Sequence, residues 1–332
     1  MVLKKYYKDK LAVIFSIKDN YDHTEVYYLD DTEFTGELMM YYDIEKEHLY
    51  NHGHFNKGYK VKEWKYYYPS GSLEKVETYN NGIKTGKCEK YYENGVVKFK
   101  TFFLEGKENG KREEYYEDGG LKAENNFYFG KQSGISTLYH NNGKPKYTGM
   151  YEDDEKQGRW IRYDEDGELF RKETWKDNML NGQRTEFKNN KIKIDVTYKD
   201  NELDGDFIVY HENGKIHQII SYDDGRKRGK EIFYHESGDI SHETEYKNNV
   251  KYGKEIIYDN GEKILFFRQY VDGILHGKYI NYHENGNKEF EVNVIDGKFH
   301  GEAYKYSENG SIKLELKYEN DKLFFKRIRF CL

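Results

Sequence analysis

Residues Gly229–Gly253 read GKEIFYHESGDISHETEYKNNVKYG. A glycine opens the run, Tyr234 follows five residues later, Ser237-Gly238 marks a turn, and Tyr246 closes a second run before the next glycine. The residues on either side of the turn alternate in character, which is the period of a half-buried strand. Ile232 and Tyr234 share one face of the first run. Ile240, His242, Thr244 and Tyr246 share one face of the second, with Ser241, Glu243 and Glu245 opposite. Two such runs joined by a glycine turn predict a β-hairpin.

The unit recurs. Its opening glycines are Gly86, Gly110, Gly134, Gly158, Gly182, Gly205, Gly229, Gly253, Gly277 and Gly301. Neighbours differ by 24 (110 − 86 = 24), except that 205 − 182 = 23. The missing residue falls in the hairpin turn, where Asn189-Asn190 replaces the usual Asn-Gly. An aromatic stands five residues after each glycine, from Tyr91 through Phe187 to Tyr306. Turn dipeptides such as Asn94-Gly95, Asp166-Gly167, Asn260-Gly261 and Asn309-Gly310 follow, of the kind that accepts positive φ. The second strand ends on a large residue, from Phe103 through Trp175 to Tyr318. Ten copies in phase predict a repeat array, in which each hairpin leans on the next.

The expected fold is all-β: an elongated single-layer antiparallel sheet of tandem 24-residue hairpins. Two strands per repeat at about 4.8 Å each give roughly 10 Å per repeat, and a ribbon on the order of 120 Å long. Residues 1–57 read as degenerate repeats or a cap, 58–322 as the array, and 323–332 as a closing segment. Lys62 stands where a glycine belongs, yet Tyr67, Ser70-Gly71 and Tyr79 keep the phase.

Composition agrees with a thin sheet. Of 332 residues only 36% are hydrophobic, while 35 are Tyr and 19 Phe. That cannot fill a thick two-sided core, but it can line sheet faces with aromatic rows. Two prolines leave the ladder its N–H groups. A net charge of −6 gives no reason to bind nucleic acid. Cys88 and Cys331 lie too far apart to pair, so a reducing, cytoplasmic setting is expected. The apolar run Leu11–Ile17 follows four lysines but is short and lacks a cleavage site, so it reads as a first strand.

The pattern G-x4-Y-x3-G, with Y-x-E-N-G-x-[IVL] runs at Tyr210–Ile216 and Tyr306–Ile312, resembles the MORN repeat in its bacterial-type variant. The resemblance covers residues 58–320 strongly and 1–57 weakly. It implies a twisted antiparallel sheet with an aromatic-lined groove, acting in scaffolding or partner binding. Related bacterial chains carry antitoxin labels, and some eukaryotic ones are linked to membranes. Catalytic members take their chemistry from attached domains.

The residues themselves give few chemical leads. His140, His211, His235 and His283 recur after the first aromatic. Those one repeat apart sit roughly 10 Å from each other, too far for one ion held by bonds of about 2 Å. Acidic residues at the hairpin tips, including Glu93, Glu165, Glu212 and Glu308, read as a solvated turn edge. No nucleophile motif, phosphate loop or dinucleotide fingerprint is present, so neither enzyme, metal nor cofactor is expected.

Binding is the stronger lead. An exposed aromatic strip marks an interaction surface, and Tyr163, Tyr210, Tyr234, Tyr258 and Tyr282 are its mid-array members. An unidentified protein is the expected partner, with antitoxin-like inhibition as one form of that role. Arg226, Lys227, Arg228 and Lys230, with Lys326, Arg327 and Arg329 in the tail, make anionic lipid the second reading. Carbohydrate stacking on aromatic rows is the third.

Overall fold

A computed structural model describes residues 3–6, 12–19, 25–29, 32–41 and 48–329. Cys331 lies outside the described residues. Strands and turns make up the described chain, without a helix. Leu3–Tyr6, Ala12–Asp19, Glu25–Leu29 and Thr32–Glu33 pair as a four-stranded antiparallel sheet. The apolar run near the N-terminus is therefore mostly strand.

From Gly36 onward the chain builds an open antiparallel sheet of tandem hairpins. Gly36–Tyr41 pairs with Leu49–Asn56, and Lys322–Ile328 with Ile312–Glu319. The chain divides into two compact units, residues 1–168 with 176–178, and residues 169–175 with 179–332. In the first, Tyr27, Phe34, Leu38, Met40, Phe55, Trp64 and Tyr66 form an apolar cluster. In the second, Val292, Val294, Ala303 and Leu316 form another.

Two turn types alternate, each with its own chemistry. Between repeats the chain turns on two consecutive left-handed residues, as at Asn81-Gly82 (φ 45° and 80°) and Asn248-Asn249 (φ 51° and 67°). Two positive φ values match the right-handed twist of the flanking strands. Within a repeat the loop is longer. At Tyr92–Val96 the Tyr92 N–H donates to Val96 O and the Gly95 N–H donates to Tyr92 O, with only Gly95 left-handed (φ 86°). The exception is Asn189-Asn190, both left-handed, where Lys188 pairs directly with Lys191. One residue fewer turns the longer loop into the tighter one, which is the origin of the 23-residue step.

The reading of Asn260-Gly261 needs a correction. Asp259 N–H donates to Lys263 O, and the left-handed residue is Glu262 at φ 62°. The loop keeps its register, so the glycine sits one residue early.

The glycine that opens each repeat has a separate job. Glu77 pairs with Cys88 and Tyr79 with Lys84, so Thr85, Gly86 and Lys87 bulge opposite Thr78 alone. Gly86 takes φ 67°, and the Thr78 hydroxyl donates to Lys87 O at 3.3 Å. Thr174 does the same for Gln183 O, and Glu245 accepts from the Lys254 N–H. Lys62 adopts φ 61° in the same bulge without glycine's freedom.

The bulges split the two aromatic rows between faces. Glu231 lies opposite Thr244 and Phe233 opposite His242, which places Tyr246 with them on one face, hereafter the buried face. Ile232 lies opposite Glu243 on the other, open face, where Tyr258 donates to Glu243. The aromatic five residues after the glycine is thus an open-face residue, whereas the one that ends the second strand is a buried-face residue.

One row on the buried face is the spine of the sheet. In the first unit it includes Leu38, Gly53, Trp64, Glu77, Cys88 and Thr101. In the second it includes Val196, Phe207, Ile220, Glu231, Thr244 and Glu255. Trp64 and Trp160 are 0% and 2% exposed. A Cβ on Gly53 would lie 2.2 Å from Trp64, and one on Gly149 would lie 2.1 Å from Trp160. Each indole therefore fills the place of a missing side chain.

Candidate interaction surface

The buried face is not apolar throughout. Glu77, Glu231 and Glu255 are buried, and each meets cations. Lys84 and Lys75 approach Glu77 at 2.5 and 3.2 Å. Lys227 reaches Glu231 at 2.9 Å, and Lys251 reaches Glu255 at 2.5 Å while Tyr270 donates to it at 2.9 Å. The same lysines lie over aromatic rings, Lys84 over Phe103 at 4.4 Å and Lys251 over Tyr270 at 5.1 Å. Burial alone would raise the Glu77 and Glu255 carboxyls. The bonds from Lys84 and Lys251 outweigh it and hold both below the usual Glu value. These carboxylates are charged and occupied, which suits a structural ladder better than proton transfer. Burial pushes the free Cys88 thiol up, away from nucleophile chemistry.

The loop edge is where hairpins clasp one another. Tyr68, Tyr92 and Tyr116 donate their hydroxyls to the carbonyls of Tyr91, Tyr115 and Tyr139, 23 residues on, at 2.7 to 2.9 Å. His140, His211 and His283 occupy the equivalent place, with Nε2 at 3.2, 2.9 and 3.1 Å from the carbonyls of Tyr163, Tyr234 and Tyr306. The recurring histidines are thus clasps. His235 stands in the series with its Nε2 buried and unpartnered. The Asn of the loop works twice: Asn213 donates to Glu236 O at 2.9 Å and accepts from the Lys215 N–H at 2.9 Å. Glu236 contributes its carbonyl to this ladder. The sequence shows only a solvated acidic tip there, because a backbone acceptor leaves no mark on residue type.

The turn edge is clasped too. The second turn residue donates its N–H to a carbonyl in the preceding repeat, as Gly82 to Lys60 O, Gly106 to Lys84 O and Gly273 to Lys251 O, each at 2.9 Å. Where that residue is Asn or Asp, its side chain adds an acceptor: Asn249 for Lys227 N–H and Asp321 for Phe299 N–H, both at 2.7 Å.

The expected site residues fall in two places. Tyr163, Tyr210, Tyr234, Tyr258 and Tyr282 are all half-buried on the open face. The Tyr258 phenol donates to Glu243 at 3.1 Å, and burial with that carboxylate pushes it up to about 12. The basic run is divided. Lys227 turns to the buried face over Tyr246 and pairs with Glu231. Arg228 pairs with Asp223, and Lys230 meets Glu243 at 2.8 Å. Arg226 is exposed. In the tail strand, Arg327 and Arg329 both approach Glu315. Among the described residues, Asp204, Asp223 and Asp224 stand close enough to share an ion, but Arg228 and Lys199 offset two of the three.

Exposed apolar residues also line the turn edge. In the second unit Val250, Val271, Ile274 and Ile295 are 41 to 52% exposed along the turn edge. Val271 and Ile274 pair across one turn. Val250 lies 3.3 Å from the Cβ position of Gly273, and Ile274 lies 3.8 Å from that of Gly297. Consecutive repeats thus make one apolar stripe. In the first unit Ile83 sits likewise 3.6 Å from the Cβ position of Gly106, beside exposed Leu104. The stripe could have been anticipated from an apolar residue three before the repeat glycine in Ile83, Val250 and Ile274.

A model of the MORN repeat variant matches residues 60–81, 84–105, 108–127, 132–153, 156–177, 203–224, 227–248, 275–296 and 299–320, more than half of the chain. The chain belongs to the MORN repeat variant family. The two omitted repeats, around Gly182 and Gly253, are the ones with the shortened loop at Asn189-Asn190 and the displaced glycine at Gly261. No curated protein matches. Solved structures that resemble this MORN chain include TcdB2-TccC3-TEV, at 9% identity and a TM-score of 0.18, over 93% of this chain and 17% of that one. Another is the Photorhabdus luminescens Tc holotoxin pore with the TccC3-D651A mutation, at 10% identity and a TM-score of 0.17, over 96% and 20%. The chain spans less than a quarter of the length of these structures. Among the described residues no helix is long and apolar enough to cross a membrane.

Proposed function

We propose that this MORN repeat chain is a non-catalytic scaffold that binds a protein partner. The carrying observation is the apolar stripe Val250–Val271–Ile274–Ile295, which is exposed along the turn edge and runs on from one repeat to the next. Contiguous exposed apolar surface with polar rims is the usual mark of a protein interface. Tyr163, Tyr210, Tyr234, Tyr258 and Tyr282 make a half-buried floor on the open face and belong to the same reading as secondary contacts. Inhibition of a toxin or effector is one form such binding would take. A cytoplasmic, reducing setting goes with it, in keeping with the unpaired Cys88. Anionic lipid has less support, since Lys227, Arg228 and Lys230 all have carboxylate partners.

The test is affinity capture from the native cell with three baits: the unaltered chain, a Val250→Lys/Ile274→Lys variant, and a Tyr210→Ala/Tyr234→Ala/Tyr258→Ala variant. Loss of a recovered partner with the first variant, at unchanged melting temperature, supports the stripe. Recovery of the same proteins by all three baits would contradict it.

A further inference from the structure

The shortened loop at Asn189-Asn190 leaves a gap in the loop edge. A cavity of about 230 Å³ opens there, lined in part by Lys188, Lys191, Lys193, Tyr210, His211 and Glu212. Lys188 stands where other repeats place a Tyr or His clasp. Lys191 replaces the loop Asn by donating Nζ to Glu212 O at 2.9 Å, which leaves its charge unneutralised. Glu212, the only lining carboxylate, is 4.0 Å from Lys188 and 98% exposed in its side chain, so it screens little of that charge. The lining carries three ammonium groups against one carboxylate. A second loop-edge cavity, of about 390 Å³, has Lys146 balanced by Glu165. Repeat geometry therefore makes notches, but the slipped register makes this one cationic.

We propose that the notch binds a dianionic oxyanion of the phosphate monoester class, held by Lys188, Lys191 and Lys193 beside Tyr210. An excess of two positive charges matches a phosphate dianion. Lysine serves phosphate as a point charge on a flexible stem and needs no planar fork. The free N–H donors of Lys191 and the solvated ammoniums of Lys188 and Lys193 can turn inward at little cost. This site is independent of the apolar stripe.

Equilibrium dialysis with inorganic phosphate at fixed ionic strength tests it. Three variants are compared: Lys188→Gln/Lys193→Gln, a glycine inserted between Asn190 and Lys191 to restore the 24-residue step, and Lys146→Gln at the other cavity. The expected result is saturable uptake of phosphate in preference to acetate, at least tenfold weaker in the first two variants and unchanged in the third. Sedimentation with phosphatidic acid vesicles, lost in the same two variants, would assign the phosphate to a lipid headgroup. Its absence would assign a soluble one. No saturable uptake, or uptake that survives removal of Lys188 and Lys193, overturns the proposal. The lysine variant decides the matter even if the insertion fails to fold.

Discussion

At Gly149 and Gly53 the absence of a side chain is what admits Trp160 and Trp64. Neither glycine has positive φ, so what opposes an alanine there is first the indole, at 2.1 and 2.2 Å. Gly149→Ala should destabilise the chain by about 1–3 kcal/mol through overpacking, read as a shift in denaturant midpoint. A Gly149→Ala/Trp160→Leu double variant should recover part of the loss, since contacting residues couple. The bulge and loop positions predict the opposite sign. Lys62 and Glu262 hold φ 61° and 62°. Their replacement by glycine should stabilise by about 1 kcal/mol through relief of left-handed strain. A lower melting temperature in either variant would refute that account of the bulge or the loop. The carboxylate ladder sets the response to acid. Glu77 and Glu255 titrate below the ordinary Glu value near 4.5. The stability they add is therefore complete above that value and lost as pH falls through their lower folded values. The melting temperature should decline below about pH 4.5, with a shallower decline in Glu77→Gln, which also starts from a lower melting temperature at pH 7.

Elements were legible to different depths. Period, turn positions and the single 23-residue step follow from glycine spacing, because only special backbone angles force a residue type so strictly. The facing of the aromatic rows was not legible. The bulge at each glycine and the register shift beside each loop break the two-residue alternation, so Tyr234 and Tyr246 land on opposite faces. Asn260-Gly261 spells a turn, yet pairing register overrode the dipeptide and moved the left-handed residue to Glu262. The tryptophan notches had an unused signal: a glycine stands eleven residues before each buried Trp (64 − 53 and 160 − 149). The expected tyrosine strip was only half legible, because the glutamates that engage phenols such as Tyr258 come from the preceding repeat. The clasps yield a prediction at this scale. Tyr116→Phe removes one hydroxyl donor to Tyr139 O and should cost about 1 kcal/mol, measured by equilibrium unfolding. An unchanged midpoint would mean that the clasp is incidental.

For the molecule as a whole, the described hairpins are held by their neighbours at the turn edge and, in most repeats, at the loop edge too. Amide hydrogen exchange at the turn tips tests this most directly. In a free two-residue hairpin turn the second central N–H faces water. Here the N–H groups of Gly82, Gly106, Gly130, Gly225, Gly273 and Gly297 donate to carbonyls of the preceding repeat at 2.7 to 2.9 Å. These six glycines should therefore exchange slowly, at rates comparable to mid-strand amides. Exchange at the rate of unstructured peptide would contradict it.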